Sequence, residues 1–418
     1  MNVLCVAAAC EASSSGGDSN EPSSGTTASS SGESLSTSGA TASTSSSGDS
    51  SGLSTSAGSD SSTGGLALEC GGRSVAEPIF AAPVDSAVSG RLAALADMDA
   101  SGSLDVLVVD PGASASLVLD AGQSPSPEIL QIEADPPFAL TVVSADDDAV
   151  PDLALVSMTQ DSLQILIGVG DGTFSSGAEI PLSDGNAIGI ASLDVDADGD
   201  DDLFVARELE PLLLMNDSGF QEPTLVAVEG LSPFATGDIA VGDFDNVPGH
   251  DVIMHGSRVF ASDGLGGLTS VPSVSSTMGG FAVVGGFDGE IAADLALAKI
   301  NDFGRGGAAL SIAVGTPDYF GTPQDLPLDC NECATRDKMS VGDVNDDSQD
   351  DIVYPSAHGI SILLGCGDAT FAGPLTIEFA EPLQRVMVGE LNGDLRLDLL
   401  TTDASATKLI VVSGLGSG

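Results

Sequence analysis

A nine-residue acidic loop occurs seven times in this chain, each time between two apolar segments. The third copy lies in LDVDADGDDDLFVA, where Asp194, Asp196, Asp198 and Asp202 occupy positions one, three, five and nine, and Gly199 occupies position six. Successive ninth-position aspartates are 43 to 57 residues apart. A period of this length indicates one supersecondary unit repeated along the chain, so the loop constrains the fold more than any other feature.

The residue types of the third loop are those of a site for a hard divalent cation. Calcium takes about six to eight oxygen ligands at about 2.3–2.6 Å. Carboxylates on alternate residues of a tight loop can converge on one point, and glycine permits the turn that closes it. The loop lacks the twelfth-position glutamate and the flanking helices of an EF-hand, because the apolar segment Leu203 to Ala206 follows it directly.

The other six loops fit the same nine-position frame with different degrees of completeness. Loops 1, 3, 6 and 7 are complete or nearly so, whereas Ser144, Val247 and Gly286 replace a carboxylate in loops 2, 4 and 5. The sequence therefore predicts Ca²⁺ in about four well-formed sites. Acidic hairpin turns without metal remain the alternative, above all for loops 2, 4 and 5. The predicted ligands of these six loops are Asp97, Asp99, Ser101 and Asp105; Asp146, Asp148 and Asp152; Asp243, Asp245 and Asp251; Asp288, Glu290 and Asp294; Asp343, Asn345, Asp347 and Asp351; and Glu390, Asn392, Asp394 and Asp398.

The charge of the chain excludes one class of partner. With 62 acidic and 11 basic residues, the formal net charge is −51. A basic patch for nucleic acid or for an anionic membrane is therefore not expected. Bound cations would offset part of this charge, and the remainder favours solubility or adaptation to a salty medium.

The N-terminal residues differ in composition from the rest of the chain. Residues 1–10, MNVLCVAAAC, resemble the end of a bacterial lipoprotein signal peptide, in which Cys10 would be lipidated. Residues 11–68 are rich in Ser, Gly and Thr, and such a composition predicts a disordered linker. We therefore expect an extracellular or cell-surface protein that meets a membrane only through this anchor. A cleaved or disordered apolar tip is the alternative.

Four cysteines fall in the predicted folded part, residues 70–418: Cys70, Cys330, Cys333 and Cys366. The Cys330–Cys333 spacing is compatible with a metal or redox site, but further soft ligands and a thioredoxin-like setting are lacking. A structural disulfide in an oxidising compartment is the expected use of these cysteines, and the pairing stays open.

The segments around each acidic loop predict an all-β, seven-bladed β-propeller with four-stranded blades. In the third repeat, strands at Ile188–Leu193, Leu203–Ala206 and Leu212–Met215 precede a turn at residues 216–220, and a less regular fourth strand follows. Because the last repeat ends on a third strand at residues 409–414, residues 74–84 are expected to supply its outer strand and close the ring.

These features resemble the FG-GAP/VCBS repeat family, which is related to the propeller domain of integrin α chains. The resemblance extends over residues 75–418 and is carried by GDF-type entries such as Gly242-Asp243-Phe244, by the loop of residues 194–202 and by the turn Gly170-Asp171-Gly172-Thr173-Phe174. It implies calcium bound in the acidic loops at one face of the propeller.

The leading functional hypothesis is a calcium-stabilised binding or adhesion module, expected to be monomeric, with an unknown protein or glycan ligand. A propeller-based enzyme or accessory domain acting on polysaccharide is the second. Against it, the chain has three histidines, no HExxH motif, and its GxSxG match at residues 48–52 falls in the linker. A sugar-binding propeller is the third hypothesis. The chain offers Tyr319 and Tyr354 but no tryptophan for stacking on sugar rings.

Overall fold

The computed structural model describes most of the predicted folded part. The residues 1–10 and 11–68, predicted as signal and linker, lie outside the described part, as do Cys330 and Cys333. The described residues are 69–70, 73–110, 114–123, 127–132, 139–146, 148–157, 162–182, 187–207, 211–216, 220, 224–227, 239–254, 258–271, 282–299, 309–316, 319–327 and 339–417.

The described elements are β-strands, and most of them form seven antiparallel four-stranded sheets, as predicted. Four short strands come first: β1 (Glu69–Cys70), β2 (Arg73–Ser74), β3 (Pro78–Phe80) and β4 (Val84–Ser86). Blade 1 contains β5 (Arg91–Ala96), β6 (Asp105–Asp110), β7 (Ser114–Leu119) and β8 (Glu128–Ile132). Blade 2 contains β9 (Ala139–Val143), β10 (Asp152–Ser157), β11 (Ser162–Gly168) and β12 (Phe174–Pro181). Blade 3 contains β13 (Ala187–Leu193), β14 (Asp202–Arg207), β15 (Leu212–Met215) and β16 (Thr224–Ala227).

The remaining four blades repeat this order. Blade 4 contains β17 (Ile239–Gly242), β18 (Asp251–Met254), β19 (Arg258–Ser262) and β20 (Leu268–Val271). Blade 5 contains β21 (Ala282–Gly285), β22 (Asp294–Lys299), β23 (Ala309–Ala313) and β26 (Gln324–Pro327), with a separate hairpin of β24 (Gly315–Thr316) and β25 (Tyr319–Phe320) inserted before its last strand. Blade 6 contains β27 (Ser340–Gly342), β28 (Asp351–Ser356), β29 (Gly359–Gly365) and β30 (Phe371–Glu378). Blade 7 contains β31 (Leu383–Gly389), β32 (Asp398–Asp403) and β33 (Leu409–Val412), and β34 (Gly414–Ser417) follows it.

The apolar strands form these sheets because neighbouring blades bury both faces of the inner strands. Every residue of β10 and β14 is buried, whereas the outer strand β12 is largely exposed. The described residues form seven hydrophobic clusters in the interior, and each cluster joins two adjacent blades. Full burial of one leucine or valine side chain contributes about 1.5–3 kcal/mol, so stability is distributed around the whole ring.

The ring closes through the N-terminal strands, as predicted, although at a slightly later position. Strand β4 pairs with β33, with Asp85 opposite Ile410, and so becomes the outer strand of blade 7. Strand β3 pairs with β34 and adds a second contact between the two ends of the ring. A cluster that contains Val106 of blade 1 and Leu400 of blade 7 buries the junction.

The acidic loops and the turns between third and fourth strands lie on one face of the propeller. In an antiparallel meander, the first and third connections leave the sheet at the same end. Each acidic loop is the first connection of its blade, and the GDGTF turn at residues 170–174 is the third connection of blade 2. We call this side the loop face. Within the described residues, no helix combines the length and apolar composition needed to cross a membrane.

Candidate metal centre

The ninth aspartate of every acidic loop is the first residue of the second strand in its blade. Its partner across the sheet is the last residue of the first strand, as in the pairs Leu193 with Asp202 and Gly342 with Asp351. The first eight loop residues therefore form a hairpin connection whose two ends are held in register by the sheet. This placement confirms the strand phase that the sequence indicated.

Backbone in the left-handed region shapes the loop between these ends. In the third loop, Ala197 at position four has a φ of 59° and Gly199 at position six has a φ of 96°. No atom lies within 4 Å of the place that a Cβ on Gly199 would occupy. The backbone conformation therefore favours glycine here, and lack of space does not.

The third loop brings three carboxylates together. One carboxylate oxygen each from Asp194, Asp196 and Asp202 lies within 4.8 Å of the other two. A spacing of this size is compatible with oxygens that share one cation at about 2.3–2.6 Å. Asp198, the other predicted ligand, is exposed, and its Oδ1 accepts a 3.0 Å hydrogen bond from the backbone N–H of Asp200.

Two oxygens of the third loop test whether a cation fits. Asp194 Oδ1 and Asp196 Oδ1 are buried and receive no hydrogen bond. A buried carboxylate oxygen without a donor is costly, because it has lost water and gained nothing in exchange. Burial also raises the pKa of Asp196, and the charge of Asp198 raises it further. A divalent cation would supply the missing positive charge, so the residues of this loop fit a metal ion.

Loops 1 and 4 also bring three carboxylates together. The same 4.8 Å criterion is met by Asp97, Asp99 and Asp105 in loop 1, and by Asp243, Asp245 and Asp251 in loop 4. In loop 4, Val247 replaces the fifth-position ligand, yet the remaining three aspartates still converge. A loop with a fifth-position departure from the motif can therefore retain its carboxylate cluster.

Loops 6 and 7 carry an asparagine at the third position, and its amide reaches another loop side chain. Asn345 Nδ2 donates to Asp347 Oδ2 at 3.1 Å, and also to the carbonyl of Ala76 at 3.1 Å. Asn392 Nδ2 donates to Asp398 Oδ1 at 3.1 Å. In both loops an amide N–H therefore occupies an acceptor that a cation would use, so these loops differ in chemistry from the three-aspartate loops.

The ninth aspartates have a second function that their motif position did not reveal. In every blade, one carboxylate oxygen accepts a hydrogen bond from the backbone N–H of loop position two, and the other accepts from the backbone beyond the third strand or at its end. In blade 6 these donors are Val344 at 3.0 Å and Gly365 at 2.8 Å. The corresponding bonds in the other six blades range from 2.7 to 3.2 Å. Each ninth aspartate thus ties loop, second strand and third strand together, with or without a metal.

Burial of these carboxylates raises their pKa. Desolvation raises the pKa of Asp105, Asp202 and Asp398 to about 6, of Asp251 to about 7 and of Asp351 to about 8. The two backbone N–H donors oppose this effect, and the other carboxylates of the same loop add to it. The ionised loops therefore hold negative charge that a bound cation would stabilise.

Each loop is also contacted by the blade that follows it. The backbone N–H at loop position eight donates to the position-one carbonyl of the preceding loop in three cases: His250 to Asp194 at 2.7 Å, Ala293 to Asp243 at 2.7 Å and Leu104 to Glu390 at 3.0 Å. The last of these bonds crosses the closure between blades 7 and 1.

Where position one lacks a carboxylate, an aspartate from the next loop approaches it. Asp201 Oδ2 accepts a 2.9 Å hydrogen bond from the N–H of Ser144, and Asp350 Oδ2 accepts a 2.8 Å bond from the N–H of Gly286. Both aspartates occupy position eight, which the sequence motif treats as variable. Only the structure shows that this position contacts the neighbouring loop.

Comparisons with known proteins agree with this architecture. A model of the FG-GAP-like repeat matches residues 145–205, which include most of loop 2, all of loop 3 and the strands between them. No curated protein matches the sequence.

Several solved structures are similar to this chain in fold, at low sequence identity. Two crystal structures of BBS1N in complex with ARL6DN, soaked with lead or with mercury, align with TM-scores of 0.54 and 0.55 at 14% and 13% identity. Each alignment covers 80% of this chain and 96% of the other. A lectin from Agrocybe aegerita that recognises non-reducing terminal N-acetylglucosamine aligns with a TM-score of 0.51 at 16% identity, covering 79% of this chain and 91% of the lectin. The chain is thus a seven-bladed β-propeller that matches the FG-GAP-like repeat over residues 145–205.

Proposed function

We propose that the chain is a calcium-stabilised propeller that acts outside the cell as a non-catalytic binding or adhesion module. The observation that carries the calcium assignment is the pair of buried oxygens, Asp194 Oδ1 and Asp196 Oδ1, that receive no hydrogen bond. An oxygen-only ligand set on a flexible loop favours calcium over transition metals, which prefer imidazole or thiolate.

The expected contribution of calcium to stability is moderate at each loop and larger in total. Extracellular calcium sites have a Kd of about 10⁻⁴ to 10⁻³ M. At a free calcium concentration about tenfold above Kd, one site stabilises the folded chain by roughly 1.4 kcal/mol. The three-aspartate loops 1, 3 and 4 together would therefore add roughly 4 kcal/mol.

Thermal unfolding of the purified chain tests this proposal. Adding about 10 mM calcium to the chelated protein should raise Tm by roughly 5 °C for a domain of this size. The double substitution Asp194→Asn/Asp196→Asn should reduce this increase, whereas Asp171→Asn, an exposed aspartate in the turn of blade 2, should leave it unchanged. An identical Tm with calcium and with EGTA would overturn the calcium assignment.

The metal content of the purified chain distinguishes the loops. About three calcium ions per chain would favour loops 1, 3 and 4, in which three aspartates converge. Four ions would instead favour the set indicated by residue type, loops 1, 3, 6 and 7. Absence of calcium after dialysis into calcium-containing buffer would mean that the loops are hairpin turns.

A role in binding agrees with the side chains of the described residues better than a role in catalysis. His250, one of three histidines, accepts a backbone hydrogen bond from Asp194 through Nδ1 and is thereby engaged in the fold. Tyr354 is 5% exposed and packs in the cluster between blades 5 and 6, so it does not offer a surface for stacking on a sugar ring. The side chain of Tyr319 lies outside the described part.

The proposed location rests on the N-terminal residues. If Cys10 is lipidated, metabolic labelling with a clickable fatty acid should mark the full chain in a bacterial host, and Cys10→Ser should abolish the label while Cys5→Ser retains it. Equal labelling of wild type and Cys10→Ser would overturn the lipid anchor. The calcium proposal is independent of that result.

A further inference from the structure

His250 connects two of the three-aspartate loops. It occupies position eight of loop 4, directly before the ninth aspartate, Asp251. Its backbone N–H donates to the carbonyl of Asp194 at 2.7 Å, and its Nδ1 accepts from the N–H of Asp194 at 2.9 Å. A residue of loop 4 therefore holds both backbone polar groups of the first aspartate in loop 3.

Two further contacts support the same connection between loops 3 and 4. Ser262 Oγ donates to the carbonyl of Val195 at 2.5 Å, while the N–H of Ser262 donates to Asp251 Oδ1 at 2.8 Å. The backbone of Gly249 approaches so closely that a Cβ there would lie 2.4 Å from the same carbonyl of Val195. The segment from Gly249 to Asp251 is thus packed against the start of loop 3.

We propose that His250 is a positioning residue through which cation binding in loop 4 strengthens cation binding in loop 3. This inference rests on the proposed function, because it assumes that both loops take a divalent cation. A cation held by Asp243, Asp245 and Asp251 would restrict the chain at position eight of loop 4. With His250 fixed, Asp194 enters loop 3 in its binding conformation, and less conformational entropy is lost when loop 3 binds.

An electrostatic effect acts in the opposite direction. A cation in loop 4 removes negative charge that would otherwise attract a second cation to loop 3. Dissolved salt screens this effect, with a Debye length of about 8 Å at about 0.15 M ionic strength and shorter at higher salt. The contact through His250 is a direct hydrogen bond, so the positive coupling should persist when salt is raised.

A substitution series at His250 separates its acceptor from its bulk. His250→Asn keeps an acceptor, because Oδ1 of asparagine is the same number of bonds from the backbone as Nδ1 of histidine. His250→Leu removes the acceptor and keeps an apolar side chain of roughly similar size. The bond from the residue 250 N–H to the Asp194 carbonyl is present in both variants. His358 is exposed in the hairpin between β28 and β29, and His358→Leu is therefore the matched control.

The test is a calcium titration by calorimetry on the full chain, in a background where Asp97→Asn/Asp99→Asn silences loop 1. The part of the binding heat that disappears when Asp194→Asn/Asp196→Asn is added to this background is the heat of calcium binding to loop 3. Silencing loop 4 with Asp243→Asn/Asp245→Asn should lower the calcium affinity of loop 3 about fivefold, which is within the usual range for coupling between two sites. In His250→Leu, the calcium affinity of loop 3 should already be low, and silencing loop 4 should change this affinity little. His250→Asn and His358→Leu should behave as wild type does.

Hydrogen exchange gives a second measurement that needs no metal. In chelated protein, the N–H of Asp194 should be protected in wild type and in His250→Asn, and should exchange faster in His250→Leu. A fivefold effect of loop 4 that is the same in wild type and His250→Leu, with unchanged exchange at Asp194, would overturn the coupling while leaving the calcium proposal intact. Absence of binding heat in every chain would instead overturn the proposed function, and the coupling with it.

Discussion

Asp294 accepts a 2.8 Å hydrogen bond from the backbone N–H of Gly315, although loop 5, to which Asp294 belongs, lacks a carboxylate at its first position. Asp294 also accepts bonds from the N–H groups of Phe287 and Asp288 at 2.7 and 3.0 Å. The side chain is fully buried. The ninth aspartate therefore holds blade 5 together in a loop that departs from the metal motif, which separates its structural contribution from cation binding.

The substitution Asp294→Asn tests this contribution. The amide replaces one acceptor oxygen with an N–H₂ group that faces backbone donors, so one buried N–H loses its partner. We expect a loss of about 1–3 kcal/mol in the free energy of unfolding, equal with calcium and with EGTA. Asp288→Asn is the control, because its Oδ1 can still accept from the N–H of Glu290. Chemical denaturation measures both. A loss for Asp294→Asn that appears only with calcium would contradict the structural role.

The fold was predictable because the sequence period and the strand phase are carried by the same residue. The ninth aspartate begins the second strand in every blade, so the number of acidic loops in the sequence predicts the number of blades. The sequence predicts the outer strand of blade 7 within residues 74–84, whereas strand β4 spans Val84–Ser86. The shift arises because β3 pairs separately with β34, a contact that no repeat pattern reports.

The site was predictable by residue type but not by partner. The carboxylates of loop 3 converge, yet the sequence does not show that backbone N–H groups already occupy both oxygens of Asp202. His250 lies 56 residues from Asp194 in the chain. Its contact depends on how blade 4 packs on blade 3, and this packing is a property of the closed ring. The sequence does not predict the hydrogen bonds of Asp201 and Asp350 to the preceding loops either, because these bonds also depend on how neighbouring blades pack.

The pH dependence of the metal-free protein should be opposite to that of most acid-denatured proteins. Burial raises the pKa of Asp251 to about 7 and of Asp351 to about 8, above the ordinary value of a free aspartate. At a pH between the ordinary pKa of aspartate and these raised values, the folded chain therefore binds more protons than the unfolded chain. The stability that these two carboxyl groups contribute is complete below their pKa in the unfolded chain. It is lost as the pH rises through their pKa in the folded chain.

Denaturation of chelated protein from about pH 5 to about pH 8 should therefore show a falling midpoint, with a loss of at least about 2 kcal/mol. Bound calcium favours the ionised carboxylates and lowers their pKa, so saturating calcium should flatten or reverse the slope. A midpoint of the chelated protein that rises across this range would contradict the assigned direction of the pKa shifts.

Leu395 should be replaceable by glycine with a gain in stability. It occupies position six of loop 7 with a φ of 66° and is 89% exposed, so it has backbone strain and little burial to lose. Loops 1 and 3 place glycine at this position. We expect Leu395→Gly to stabilise the chain by about 0.5–1 kcal/mol, since relief of left-handed strain exceeds the added entropy of the unfolded chain.

Leu265 provides the control for this substitution. It is 85% exposed in the turn of blade 4 and does not have a positive φ. Leu265→Gly should therefore be neutral or destabilising by up to about 1 kcal/mol. If both substitutions changed the unfolding midpoint equally, the backbone conformation of Leu395 would not be the cause.

The disulfide between Cys70 and Cys366 should be the main covalent constraint on the described fold. It joins β1 to the turn after β29, across a sequence separation of 296 residues, and its Cα atoms are 5.3 Å apart. Cys70 is buried in the cluster shared by blades 6 and 7, close to the strands that close the ring. Because the bond encloses most of the propeller, it restricts the unfolded chain strongly. Cys70→Ser/Cys366→Ser should lower the free energy of unfolding by about 2–5 kcal/mol.

Two measurements check this prediction. Peptide mapping without reduction should recover a fragment that links Cys70 to Cys366, and chemical denaturation should show the loss of stability in the double variant. Cys330→Ser/Cys333→Ser should leave that linked fragment intact, because neither cysteine takes part in the bond. Recovery of Cys70 linked to Cys330 or Cys333 would contradict the pairing. An unchanged midpoint in Cys70→Ser/Cys366→Ser would mean instead that the hydrogen bonds and packing at the ring closure hold the N-terminal strands without covalent support.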